Sequence, residues 1–213
     1  MFEENILASI DEALKFINKY GVVTLFPIKK HAFPSLYKAT KGVRHEKFDN
    51  AWTWADKLAQ NKQIHYGKLI QKQVTLVSLE IFPYFYKIYS QTPLNEDAKK
   101  IHDYLEKHRA TFTSDLRKNL GLEGKENKQR FANAIDQLQI AFAIAIVSRE
   151  QTPKMMCTYD LMERWMPKQL LKTAQKTETS TAKEKIIKKL FENKVIANPS
   201  EAKNVLGKSF FES

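Results

Sequence analysis

The sequence predicts a helix-rich α+β protein: tandem winged-helix-like halves closed by C-terminal helices. Three observations carry that expectation. Apolar residues recur at helical spacing through most of the chain. Two pairs of short β-branched runs, within 64–77 and 140–159, interrupt the helices and are bounded by turn residues. From 97 to 159 the elements run helix, short helix, tight turn, longer helix and two strands, the order of a winged helix-turn-helix. The expected division is 1–92 for a winged-helix-like half with a strand hairpin, 95–160 for the winged helix-turn-helix, and 161–213 for helices packing on the core.

In the first half, 3–19 reads as an amphipathic helix with Ile6, Ile10, Ala13, Leu14 and Ile17 in one stripe, and Gly21 supplies its stop. A short β-branched run at 22–26 ends at Pro27. Pro34 precedes a single helical turn at 35–39. A helix at 46–59 carries Phe48, Trp52 and Leu58 for packing. Runs 64–70 and 74–77 read as paired strands joined through Gln71-Lys72-Gln73, and 81–89 is an aromatic helix. The segment 92–95 (Thr-Pro-Leu-Asn) is the junction.

In the second half, 97–109 is a helix with Ile101, Tyr104 and Leu105 inward. A short helix follows, with Thr113 placed to cap its free amides and Gly121 ending it. The longer helix is expected at 125–138, a buried strand at 140–147, a hairpin tip at 148–154 and a return strand at 155–159. Helices at about 160–177, 183–193 and 199–206 close the chain, with 177–181 as a polar hinge.

Composition sets the class. No apolar run approaches the roughly 18 residues that span a bilayer. The N-terminus is acidic and amphipathic, unlike a signal peptide, so a cytoplasmic protein is expected. Cys157, the one cysteine, allows no internal disulfide and reads as a small apolar residue. The net charge is +11, divided +5, +1 and +5 over 1–94, 95–160 and 161–213. Attraction to polyanions follows, although the winged-helix stretch is itself nearly neutral. There is no GxxxxGK[ST] loop and no G-x-G-x-x-G, and His31, His45 and His65 are too scattered for a metal site, so neither cofactor nor metal is expected.

Candidate nucleic-acid contacts follow from the winged-helix order, because the longer helix enters the major groove and the wing flanks the backbone. Lys125, Lys128 and Arg130 are placed for phosphates or guanine, and Gln129 and Asn133 for adenine. Arg149 and Lys154 are expected at the wing tip against phosphates. A second candidate, a pocket for an unpaired base, combines His31, Arg44, Trp52 and Trp54. The bland alternatives are a solvated helix face for the first group and ordinary packing for the Trp pair. Asp49 and Asp56, seven apart on one helix, share a face and read as solvated surface.

The phrase at 159–167, Tyr-Asp-Leu-Met-Glu-Arg-Trp-Met-Pro, resembles the YDL-x-ER-x-x-P signature of the AlkZ/YcaQ-like winged-helix family. Phe33-Pro34-Ser35-Leu36, Trp52-x-Trp54 and Tyr66-Gly67-Lys68 are similar to a shorter, AlkZ-related subgroup, and the resemblance spans about 15–170. It implies kinship with DNA glycosylases that unhook crosslinks and remove bulky alkylated bases through a Gln-x-Gln or Gln-x-Asp motif in an N-terminal winged helix. Gln71-Lys72-Gln73 has a charged middle residue at a hairpin turn, and Gln137-Leu138-Gln139 falls in the wrong half, so no catalytic residue carries over. The expected function is non-catalytic DNA binding, of damaged or distorted duplex. The alternatives are a glycosylase for alkylated or crosslinked bases and a winged-helix protein-interaction module, for instance in a homo-oligomer.

Overall fold

The computed structural model describes residues 2, 4–28, 32–150, 156–207 and 209–212. Its first six main elements are α1 (Ile10–Tyr20), β1 (Val22–Thr24), α2 (Leu36–Ala39), α3 (Arg44–Gln60), β2 (Ile64–Lys68) and β3 (Val74–Ser78). They make a three-stranded antiparallel sheet in the order β1-β3-β2. After α4 (Phe82–Tyr89) the same sequence of elements recurs: α5 (Glu96–His108), β4 (Thr111–Phe112), α6 (Thr113–Asn119), α7 (Lys128–Ile140), β5 (Ile144–Glu150) and β6 (Met156–Leu161). That sheet has the order β4-β6-β5, also antiparallel. Both sheets therefore place the third strand between the first and second, and α3 and α7 occupy equivalent positions ahead of a two-stranded hairpin. The helix-rich α+β class is borne out.

Local chemistry sets most boundaries. Helix α1 begins at Ile10, later than the apolar stripe alone suggests, because the Ser9 hydroxyl accepts the Glu12 amide at 3.2 Å and Glu12 accepts the Ala8 amide at 2.6 Å. It ends at Gly21, whose φ of 77° suits glycine; a Cβ there would lie 2.8 Å from Ile81 Cδ1. Thr113 does not cap α6. It is the first helical residue, and its hydroxyl donates to the Cys157 carbonyl at 2.8 Å, tying α6 to β6.

The largest departure lies after α7. The helix runs on to Ile140, and β5 starts at Ile144 instead of 140. Between them Phe142 adopts a φ of 52°. This conformation costs about 1–3 kcal/mol in a non-glycine residue. It turns the Phe142 ring into a stack formed by Phe82 (5.7 Å between centroids), Phe85 (6.3 Å), Tyr89 (6.0 Å) and His65 (4.6 Å). Burying that ring fully is worth about 1.5–3 kcal/mol, enough to offset the strain. The strand consequently extends through 148–150, which the apolar pattern assigns to a hairpin tip.

The tail consists of α8 (Met162–Trp165), α9 (Lys168–Lys176), α10 (Thr179–Glu192), α11 (Ala202–Leu206) and α12 (Ser209–Glu212), with Pro167 separating α8 from α9. Ile186, Leu190, Val195 and Phe210 share one apolar core with Phe82, Phe85 and the first sheet. Ala98, Ile101, Leu105, Phe131, Leu138 and Ile144 form the other. Tyr89 donates to the Leu206 carbonyl at 3.1 Å, and Lys189 pairs with Glu80 at 2.6 Å. Strand β2 meets α7 where Lys68 pairs with Asp136 at 2.6 Å and the Lys68 amide donates to Gln139 Oε1 at 3.1 Å. No helix among the described residues is long and apolar enough to cross a membrane.

His65, beneath Phe142 on β2, is 3% exposed, and burial pushes its imidazole down to about 3. A lowered base is neutral in the fold but takes a proton in the unfolded chain below 6.5. Its contribution is therefore present above pH 6.5 and lost as pH falls towards 3. Denaturant titrations should show wild type losing about 2 kcal/mol more than His65→Phe between pH 7 and pH 5.

Candidate nucleic-acid interface

Helix α3 organises the most distinctive surface of the molecule. Arg44, Phe48, Trp52 and Asp56 follow at intervals of four, so they lie along one face. Exposure falls along this row. Arg44 is in solvent, the Phe48 side is 47% exposed, Trp52 is half-buried, and the Asp56 side chain is 17% exposed. Phe48 stacks on Phe26 with centroids 5.4 Å apart and planes 25° apart, and Trp52 meets the edge of both rings at 5.8 and 6.2 Å. Tyr37 closes the side at 5.6 Å from Phe26. Phe26, Tyr37, Arg44, His45, Phe48 and Asp49 line an open pocket with aromatic walls and a charged rim.

The inner end of the row is anchored from the second sheet. Arg149, paired with Cys157 in the β5–β6 ladder, turns its side chain inward until 6% is exposed. Its Nη1 lies 3.1 Å from Asp56 Oδ1, and its Nη2 donates to the Tyr66 hydroxyl. The guanidinium also sits 4.6 Å from the Trp52 ring centre and 4.8 Å from that of Tyr66, within cation–π range of both. Burial raises the Asp56 carboxyl against the pull of Arg149, and burial raises the Tyr66 phenol. Burial works against the Arg149 charge as well, but Tyr66 and Asp56 outweigh it, and its pKa goes up. Trp52 Nε1 and Arg149 Nε are buried and donate to nothing among the described residues.

The expected contact residues thus separate. Arg149 is not at a wing tip: because β5 starts late, it belongs to the strand and points at α3. Lys154 and His31 lie outside the described residues. Arg130 is exposed but held by Asp97 through two hydrogen bonds of 2.8 and 3.2 Å. Gln129 donates to Asn133 at 2.8 Å along the exposed face of α7. Lys125 and Lys128 line an open depression with Arg117, Glu123 and Gly124, so the bases there stand beside a carboxylate. Arg44 lines the aromatic pocket, and Trp52 packs behind its walls against Phe26 and Phe48. Trp54, two residues on, lies on another side of α3 and packs on the core.

Tyr37 and His45 belong to the aromatic and basic mix that the sequence offers for stacking a base, whereas Phe26 and Phe48 as pocket walls, and Asp56 and Tyr66 as the anchor, were missed. The four-residue spacing along α3 was the available signal. Both Gln-x-Gln triplets serve other ends. Gln137 donates to the Pro93 carbonyl at 2.9 Å and accepts the Asn95 amide at 3.0 Å, while Gln139 holds β2. Gln71 and Gln73 flank an exposed turn. No group of three His, Cys, Asp or Glu among the described residues is arranged to hold a metal ion.

A family model described as AlkZ related matches residues 7–207. The chain belongs to the AlkZ-related family. Neither a curated protein nor a solved structure matches it significantly. In this AlkZ-related chain the 159–167 phrase is architectural. Arg164 pairs with Asp160 at 2.6 Å and donates to the Leu105 and Glu106 carbonyls in the last turn of α5, tying that helix end to the phrase. Glu163 accepts from the Tyr86 hydroxyl at 3.2 Å, and Trp165 lies under Lys62 Nζ at 4.4 Å.

The anchor makes an asymmetric prediction. Breaking a buried ion pair costs about 3–5 kcal/mol. With Arg149→Met, Asp56 escapes part of that cost by taking a proton. With Asp56→Asn, the guanidinium stays charged. Urea unfolding at pH 7 should therefore rank Asp56→Asn as the more destabilised. The double variant should lose less than the sum of the two single losses, because it leaves neither group buried without its partner.

Proposed function

We propose that this chain binds DNA without cutting it, and that the α3 pocket holds a base displaced from a damaged or distorted duplex. The observation that carries the reading is the pocket itself. Its aromatic walls, Phe26, Tyr37 and Phe48, match the flat apolar faces of a base, and Arg44 and His45 stand at its mouth where the flanking phosphates would pass. In the turn before α7 and on the helix itself, the exposed Lys125, Lys128, Gln129 and Asn133 supply a second, duplex-facing contact, in which Arg130 has a smaller share because Asp97 holds it. Membership of a family related to DNA repair supports the same reading. Engagement of Gln137 and Gln139 in structural bonds supports binding without base excision.

The test is fluorescence anisotropy with two labelled duplexes, one fully paired and one carrying a single unpaired base. The wild-type chain should prefer the second and lose affinity steeply with salt. Phe48→Ala should abolish the preference at a cost of about 1–3 kcal/mol, the value of stacking one base. Arg44→Ala and Lys128→Ala should weaken both duplexes alike. Absent or salt-insensitive binding sinks the proposal.

One observation favours a catalytic second reading. Asp49 stands on the pocket rim, where a carboxylate is able to orient water towards a sugar. Formation of abasic sites in alkylated or crosslinked DNA, lost in Asp49→Asn, would replace the first reading with that one.

A further inference from the structure

Helix α9 presents a face that neither the fold nor the pocket uses. Its sequence, Lys-Gln-Leu-Leu-Lys-Thr-Ala-Gln-Lys, holds three cations and no carboxylate. Leu171 and Ala174 are buried against the core, and Lys168, Lys172 and Lys176 recur every fourth residue on the exposed side with Gln169 and Gln175 beside them. The three lysines span about 12 Å of helix axis. Among the described residues none pairs with a carboxylate. The acids nearest in sequence are otherwise engaged or exposed beyond the helix: Glu163 binds Tyr86, and Glu178 lies after the C-terminus.

Helix α10 makes the contrast that matters. It carries four lysines to the three of α9, but Lys188 faces Glu192 at 3.7 Å and Lys189 faces Glu80 at 2.6 Å. Part of its charge is met within the fold, and the charge of α9 is not. An uncompensated row of ammonium groups repels itself, and an external polyanion relieves that repulsion.

We infer that the α9 face is a docking tract for the backbone of duplex DNA, separate from the base pocket and reading no sequence. This rests on the DNA-binding reading above. Duplex DNA carries one charge per about 1.7 Å of axis, so a 12 Å row finds a phosphate for every lysine. The face has no aromatic or aliphatic anchor of the kind that protein partners need. The apolar side of α9 is committed to the core, so nothing remains to insert into a lipid surface.

The experiment compares wild type, Lys168→Gln/Lys172→Gln/Lys176→Gln and the single reversal Lys172→Glu. Anisotropy is measured on the paired and unpaired-base duplexes across a salt series, with circular dichroism melting as the folding control. Vesicles of anionic phospholipid form a second arm. The triple variant should flatten the slope of log affinity against log salt by about 2–3 and weaken both duplexes about tenfold or more at 0.1 M salt. It should keep the preference for the unpaired base, and Lys172→Glu should weaken binding in the same direction. A well-folded triple variant with an unchanged slope overturns the tract and leaves the pocket standing. Wild type that binds no duplex overturns both, and vesicle binding lost in the triple variant, with duplex binding unchanged, assigns the face to membranes instead.

Discussion

The guanidinium of Arg149 is held almost out of water between the two sheets, and much of the molecule is arranged to make that tolerable. Asp56 supplies the opposite charge, Tyr66 an oxygen, and the rings of Trp52 and Tyr66 their electron-rich faces. Each of these groups comes from the first sheet or α3, whereas Arg149 comes from β5. A charge in such surroundings has few alternative positions, because moving it a few ångströms leaves it unpaired in a poorly polarisable medium. The two sheet-bearing units are thereby fixed in register with each other. Phe142 and the Lys68–Asp136 pair reinforce the same alignment from the other side.

This constraint reaches the surface through α3. Asp56 is clamped at one end of a row whose other members are Trp52, Phe48 and Arg44. A rigid inner end makes the outer end a prepared surface instead of a loose collection of side chains. Preorganisation of this kind matters for a contact built mainly on stacking, since ordering aromatic groups only on binding would consume much of the stacking energy. The aromatic pocket and the Arg149–Asp56 ion pair are two ends of one helical stripe.

Much of the fold was legible in the sequence because local chemistry decides it. Gly21 ends α1, the β-branched runs 64–68 and 74–78 pair as antiparallel strands, and Pro167 breaks the tail. The site was less so. Its decisive residue depends on where β5 begins, and that in turn depends on Phe142 being drawn into a stack with Phe82, Phe85 and Tyr89, residues some 50 positions earlier. Apolar periodicity contains no such long-range term. It placed Arg149 at an exposed tip, although a strand that ends three residues later turns the same side chain inward. Likewise Arg130 looks like a phosphate ligand until Asp97 arrives from α5. The α3 row was visible as a four-residue spacing, but only tertiary packing on Phe26 and Tyr37 reveals it as a pocket.

The hydrogen bond from Tyr89 to Leu206 closes a loop of 117 residues, and α4 depends on the tail for the rest of its apolar cover. Translation proceeds at about 5–20 residues per second, so this part of the first core waits on the order of ten seconds for its lid. During that interval Phe82, Phe85 and Ile88 lack the cover of the tail, while the elements between 96 and 161, with a core of their own, are synthesised in full. The second unit has all of its core residues before the first does, so completion of the two cores runs against the order of synthesis.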